Sequence, residues 1–409
     1  MHEIISGCRS CGSPHLEPFL SLGETPLANG LLDAEGLEGP EPTYPLDVAF
    51  CAECSLVQIL ATVRPEVIFG EDYPYYSSFS DTVLEHSRKN AERLIASQSL
   101  DEDSLVLEIG SNDGYMLQYF VKEGIPVIGI DPAPGPVEAA KEKGISALCA
   151  FFGKGMAERL RDEGVRADVV IANNVLAHVA DLNGFVEGIR TILKDRGLAV
   201  IEVPYVRNLI DFCEFDTIYH EHLCYFSVTA LTALFKRHGL TVNHVEHYPI
   251  HGGSLRLYVS AQENVAESVF TYIQDERDLS IAELGYYQDF ASRVRDITET
   301  LVALLRDLKE RGNRIAAYGA SAKGATLLNF IGAGKDLVEF VVDRNVHKQG
   351  RYMPGVHIPI FNPARLLEEL PDYVVLLAWN FQEEILQQQA DFRSNGCKFI
   401  VPIPHPTIL

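Results

Sequence analysis

Tyr219, His220, Glu221 and His222 stand in succession within residues 217–225, TIYHEHLCY. Histidine titrates near neutral pH, and a neighbouring carboxylate fixes its tautomer and raises its basicity, so this run suits general acid–base work. A metal is the competing reading. In an extended segment residues i and i+2 share a face, which would let His220 and His222 meet one ion. A third histidine, His178, follows a predicted strand ending in Asn173-Asn174. For any one of these histidines alone, a place in the core is the bland alternative. Two further stretches point to a polar ligand. Tyr73-Pro-Tyr-Tyr-Ser-Ser78 is dense in aromatic hydroxyls, and His251-Gly-Gly-Ser-Leu-Arg256 offers backbone amides, the Ser254 hydroxyl and the Arg256 guanidinium. Interface packing and a hairpin turn are their structural alternatives.

Four of the eight cysteines form two CxxC pairs, Cys8–Cys11 and Cys51–Cys54. Two residues between thiolates let one backbone knuckle offer both sulfurs to the same ion, and two knuckles complete a tetrahedral Zn2+ shell. A redox CxxC usually occurs once, at a strand-to-helix turn, whereas here the motif is doubled in a loop-rich stretch. Four thiolates leave no open position, so the zinc is expected to be structural. The long separation between the knuckles requires the Pro/Gly-rich stretch 24–45 to loop out. Cys149, Cys213, Cys224 and Cys397 are scattered and read as core residues or bystanders.

Two glycine loops follow predicted strands. The first is Glu108-Ile-Gly-Ser-Asn-Asp-Gly114, where Gly110 and Gly114 permit a tight turn and close approach of a ligand. Asp131 ends the next strand about twenty residues on, well placed to hold a ribose diol. Ser111 and Asn112 stand where a dinucleotide loop would prefer glycine, so S-adenosylmethionine (SAM) fits better than NAD. Candidate cofactor contacts are Glu108, Gly110, Asn112, Gly114, Asp131 and Asn173. The second loop, residues 314–324, carries Gly319, Ser321, Lys323 and Gly324 at a helix start, where anions collect. Asp343 ends the following strand, and His347, Lys348 and Arg351 bring positive charge close by. This half reads as a nucleotide-diphosphate site, against a solvated loop or a second dinucleotide site.

These residues need elements to position them. From Ser104 short apolar runs alternate with amphipathic helices (SLVLEIG, PVIGID, DVVIANNVL and GLAVIEVP being the strands), which predicts a parallel sheet covered on both faces. A charged helical stretch spans 266–311, and the alternation restarts at RIAAYGAS. The length of 409 residues predicts two or three domains, and 47% apolar with 22% charged residues is the balance of a globular protein. A net charge of −23 argues against a nucleic-acid or anionic-membrane partner. No apolar run reaches the roughly 20 residues of a membrane span. The N-terminus lacks the pattern of a signal peptide. A cytoplasmic protein, monomeric in solution, is expected.

Six motifs in order resemble one family along essentially the whole chain: the paired zinc knuckles, EDYPYYSS, EIGSNDG, IYHEHLCYFS, HGGSLR and AYGASAKG. The chain resembles the SAM-dependent C-methyltransferases that act on nucleotide-linked 4-ketosugars in deoxysugar biosynthesis. The resemblance implies an α/β protein with a zinc-binding domain (1–70), a Rossmann-like SAM domain (71–265) and a Rossmann-like C-terminal nucleotide-sugar domain (266–409). It implies His222 as the base that forms an enolate at C-3 of a dTDP-linked 4-ketosugar. Tyr219, Glu221, His178 and a tyrosine of the 73–76 run, among them Tyr73 and Tyr76 with the choice left open, would be its companions. Substrate contacts would come from His220, Ser254, Arg256, Gly319, Ser321, Lys323, Asp343, Lys348 and Arg351. Methylation at C-5, a non-catalytic nucleotide-sugar binder and an NAD-dependent oxidoreductase are the alternatives.

Overall fold

Alternating apolar runs and amphipathic helices build the central sheet as expected. The computed structural model describes residues 2–70 and 73–409; Glu71 and Asp72, the start of EDYPYYSS, lie outside the described residues. The sheet has seven strands, in the order Thr241–Tyr248, Ser254–Ser260, Leu193–Pro204, Ala167–Asn173, Val106–Ile109, Val127–Asp131 and Ala147–Cys149. Only Ser254–Ser260 runs antiparallel to its neighbours. The chain lays strands outward from Val106–Ile109 on one side, then returns to its other side at Ala167–Asn173. That reversal opens a crevice at the strands' carboxyl ends, the usual ligand position in such sheets. Helix Leu182–Ile192 shows how the covering layer forms. Asp181 accepts the Gly184 N–H at its start, and Leu182, Phe185, Val186, Ile189 and Ile192 make one buried stripe.

The N-terminal sheet pairs Leu16–Pro26 with Thr43–Cys51 and that strand with Val57–Ile59. The expected loop-out occurs between these first two strands. Its fourth strand is Cys224–Tyr225, contributed by the histidine-bearing segment from far along the chain. The C-terminal sheet orders Ile360–Phe361, Val341–Val342, Ile315–Tyr318, Tyr373–Leu376, Lys398–Val401 and Thr407–Ile408, of which only the last is antiparallel. The short strands Ile360–Phe361 and Thr407–Ile408 carry no periodic signal of their own.

The predicted long helical stretch divides into Glu267–Asp278 and Phe290–Glu310. Glu276 on the first is buried and accepts hydrogen bonds from the Tyr205 hydroxyl and the Val228 and Thr229 amides. That helix therefore packs on the central domain. Tyr287, in the connection, packs against Phe19 and Phe50 of the zinc-binding domain at ring distances of 5.1 and 5.2 Å. One apolar core runs through these three sheets, and a fourth, two-stranded sheet pairs His2–Ile4 with Ala61–Val63.

Candidate active site

A cavity of about 590 Å³ opens at the carboxyl edge of the central sheet. Gly110, Asn112, Asp131 and Asn173 line it from the cofactor half. Tyr73, His178, Tyr219, Glu221 and His222 line it from the catalytic half, and Ser321, Lys323 and Lys348 from the C-terminal domain. The sequence scattered these groups over some 280 residues, and the fold gathers them around one space.

Residues 219–222 form a tight turn, closed by the His222 N–H on the Tyr219 carbonyl at 2.8 Å. The turn breaks the alternation that would have put His220 and His222 on one face. His222 faces the cavity. His220 turns away, its Nε2 3.3 Å from the Pro45 carbonyl and its ring against Tyr44. A shared metal and a substrate role for His220 are both excluded by this geometry. Among the described residues only Cys8, Cys11, Cys51 and Cys54 cluster as metal ligands, their sulfurs all within 4.8 Å of one another. Four such donors fit a closed tetrahedral Zn2+ site.

The Thr217 carbonyl lies 2.8 Å from Nδ1 of His222 and so holds that nitrogen's proton. Nε2 is left with its lone pair and accepts from the Tyr219 hydroxyl at 2.9 Å. Burial, with the neighbouring His178, pushes the His222 pKa well below the ordinary histidine value, so the ring is a neutral base. His178 stands edge-on at 4.8 Å, itself depressed to about 4 by burial. Glu221 accepts from Asn29 Nδ2 at 2.7 Å and from the Tyr73 hydroxyl at 3.2 Å. Burial raises its pKa to about 7 despite both donors. Tyr75, of the tyrosine run singled out in the sequence, also belongs to this wall, and so does Asn29, which was missed there because nothing marks it beyond an Asn-Gly turn.

Several expected contacts sit elsewhere. Tyr76 stacks on His347 at 4.3 Å and does not line the cavity, whereas Tyr73 and Tyr75 do. Arg256 is buried against Glu202 and Tyr248, and Ser254 donates to the Ile250 carbonyl; from the same motif it is His251 that reaches the cavity. Glu108 lies behind the cavity wall, its carboxyl held well above the usual range by burial. Gly114 serves packing: at φ +75° a Cβ there would meet Ile145 at 2.1 Å. Gly319 and Asp343 do not line the cavity either. Asp343 spends its carboxylate on the Ala320 and Asn345 amides, which closes the second glycine loop on itself. Lys348 lines the cavity while donating to the Ala320 carbonyl, and Arg351 lines an adjoining space of about 380 Å³ that shares Asn29, Tyr73 and Glu221. Lys323 Nζ is buried without a hydrogen-bond partner, 4.7 Å over the Trp379 ring, with Glu214 and Asp216 in electrostatic reach. Asn174 Oδ1 and His178 Nδ1 are likewise unpaired, and such buried groups on a cavity wall call for a polar ligand.

Comparison with known proteins agrees with this layout. A zinc binding domain model matches residues 8–69, a methyltransferase domain model residues 83–245, and a C-methyltransferase C-terminal domain model residues 249–404. C-methyltransferase NovU of Streptomyces niveus is 36% identical over 408 residues, covering 99% of this chain and 97% of its own. The chain belongs to the C-methyltransferase family. A ubiquinone biosynthesis O-methyltransferase of Azorhizobium caulinodans is 32% identical over 97 residues, 24% of this C-methyltransferase and 38% of that protein. The SAM-bound magnesium protoporphyrin IX methyltransferase of Synechocystis covers 49% of the chain and 90% of its own, at 14% identity and a TM-score of 0.34. Among the described residues no helix is long and apolar enough to cross a membrane.

Proposed function

We propose that this SAM-dependent C-methyltransferase methylates the carbon beside the ketone of a nucleotide-linked 4-keto-deoxysugar, C-3 of a dTDP-sugar being the first assignment. The Tyr219–His222 pair carries the reading, since a neutral imidazole, its Nε2 lone pair held by the Tyr219 hydroxyl, lines the cavity that the cofactor loop also lines. A proton next to a ketone is weakly acidic. His222 Nε2 removes it, and the Tyr219 hydroxyl, released from Nε2, donates to the enolate oxygen. Bound SAM supplies an electrophilic methyl group. Asp131 and the Gly110 loop would hold its adenosine part, and Zn2+ on the four cysteines would do no chemistry. The nucleotide carrier extends towards Lys348 and the adjoining space lined by Arg351.

Mass spectrometry of reactions containing SAM and a panel of dTDP-4-keto-deoxysugars, with and without a 3-amino group, tests this. A gain of one methyl for one hydrogen is expected. SAM-free exchange in deuterium oxide identifies the carbon, with label at C-3 for the first assignment and at C-5 for the alternative. Neither product nor exchange across the panel overturns the proposal.

A further inference from the structure

Asn112 was expected to touch the cofactor, yet the structure commits its polar groups elsewhere. Its N–H donates to Asp131 Oδ2 at 2.9 Å, its Oδ1 accepts from the Ser77 N–H at 2.8 Å, and its Nδ2 donates to the Tyr75 carbonyl at 3.1 Å. It is buried and sits at φ +48°, a conformation that asparagine tolerates better than most residues. Residues 73–78 form a strap over the cavity, and Asn112 grips it from the cofactor loop. Lys143 joins the same side, donating to Ser78 Oγ and the Asp113 carbonyl. The C-terminal domain holds the other side, where Asn345 Nδ2 donates to the Pro74 carbonyl at 2.7 Å and His347 stacks on Tyr76. The strap's inward side chains are Tyr73, which donates to Glu221, and Tyr75.

We propose that Asn112 is a positioning residue that ties the cofactor loop to the 73–78 strap, so that filling the cofactor site sets Tyr73 and Tyr75 for the sugar. The contacts are continuous, from the Asp131 carboxylate through Asn112 to Ser77 and Tyr75, and through Tyr73 to Glu221. The role of the tyrosines rests on the function proposed above, while the link between loop and strap does not.

Asn112→Gly is the informative variant. Glycine keeps the positive φ without strain and deletes only the grip. The full chain is followed by hydrogen–deuterium exchange of peptides covering 73–80, with and without S-adenosylhomocysteine, alongside calorimetric affinity for that probe. In the unmodified protein the probe should slow strap exchange about tenfold. In Asn112→Gly the slowing should fall below about twofold. Asn112→Asp keeps the acceptor for Ser77, loses the donor to Tyr75, and should lie between. Strap protection at the original level in Asn112→Gly overturns the proposal, as does a probe that leaves the strap unchanged in the unmodified protein. A tenfold or greater loss of affinity would return Asn112 to a cofactor ligand and also overturn it. None of these readouts uses a sugar. Failure of the unmodified enzyme to turn over any ketosugar would therefore sink the substrate reading separately, with the exchange data still deciding the link.

Discussion

His222, the proposed base, is oriented by a single backbone contact. Thr217 holds the proton on Nδ1, and burial keeps the ring neutral. His222→Ala should lower both methyl transfer and SAM-free deuterium exchange by about a hundredfold or more, with S-adenosylhomocysteine affinity unchanged. Exchange near the original rate in this variant would remove His222 as the base. Glu221 gives a prediction of opposite sign for stability. Its pKa rises on folding to about 7 through burial. Between the ordinary glutamate range and that value the folded chain holds a proton the unfolded chain has released, so stability falls as pH rises through this window. Glu221→Gln should thus raise Tm by a few degrees at pH 8 and leave it unchanged near pH 4, while reducing turnover. Thermal unfolding at the two pH values reads the difference, and an equal shift at both would contradict it.

At the scale of elements, the zinc-binding domain does more than hold itself together. Its strand Val57–Ile59 follows directly from the second cysteine knuckle and pairs with Cys224–Tyr225, just after His222. Ile59 N–H also donates to the Leu223 carbonyl, Asn29 holds Glu221, and Tyr44 with Pro45 seats His220. Stripping the metal with a chelator, or the substitution Cys51→Ser, should release the 219–222 turn. Turnover should fall more than tenfold, whereas cofactor affinity, built on the central sheet, should stay within about threefold. Full turnover in protein shown by elemental analysis to lack zinc would refute the link.

Across the whole molecule, the three larger sheets share one apolar core, and polar ties reinforce the seams. Glu384 accepts from Ser80 and Thr82 at the start of helix Asp81–Gln98, and Glu41 meets His357 and the Gly355 amide. A shared core couples the unfolding of its parts, so calorimetry should show one endotherm for the metal-loaded protein. Two well-separated transitions would mean that the domains are independent. The cavity depends on this unity, since all three regions supply its wall.

The local chemistry was readable in one dimension. Spacing alone announced the cysteine cluster, the glycine loop with Asp131, and the strand–helix alternation, because knuckles, turns and periodic faces are set by near neighbours in the chain. Which of several adjacent side chains faces the site was not readable. Tyr75 displaces Tyr76, His251 displaces Ser254 and Arg256, and His220 leaves His222, because orientation depends on a strap or turn held by partners far away in sequence. Asn29 and the strand pairing of Cys224–Tyr225 with the zinc-binding domain likewise exist only once the chain has packed. Local covalent geometry thus fixed the kinds of chemistry available, and long-range packing decided which residues carry it.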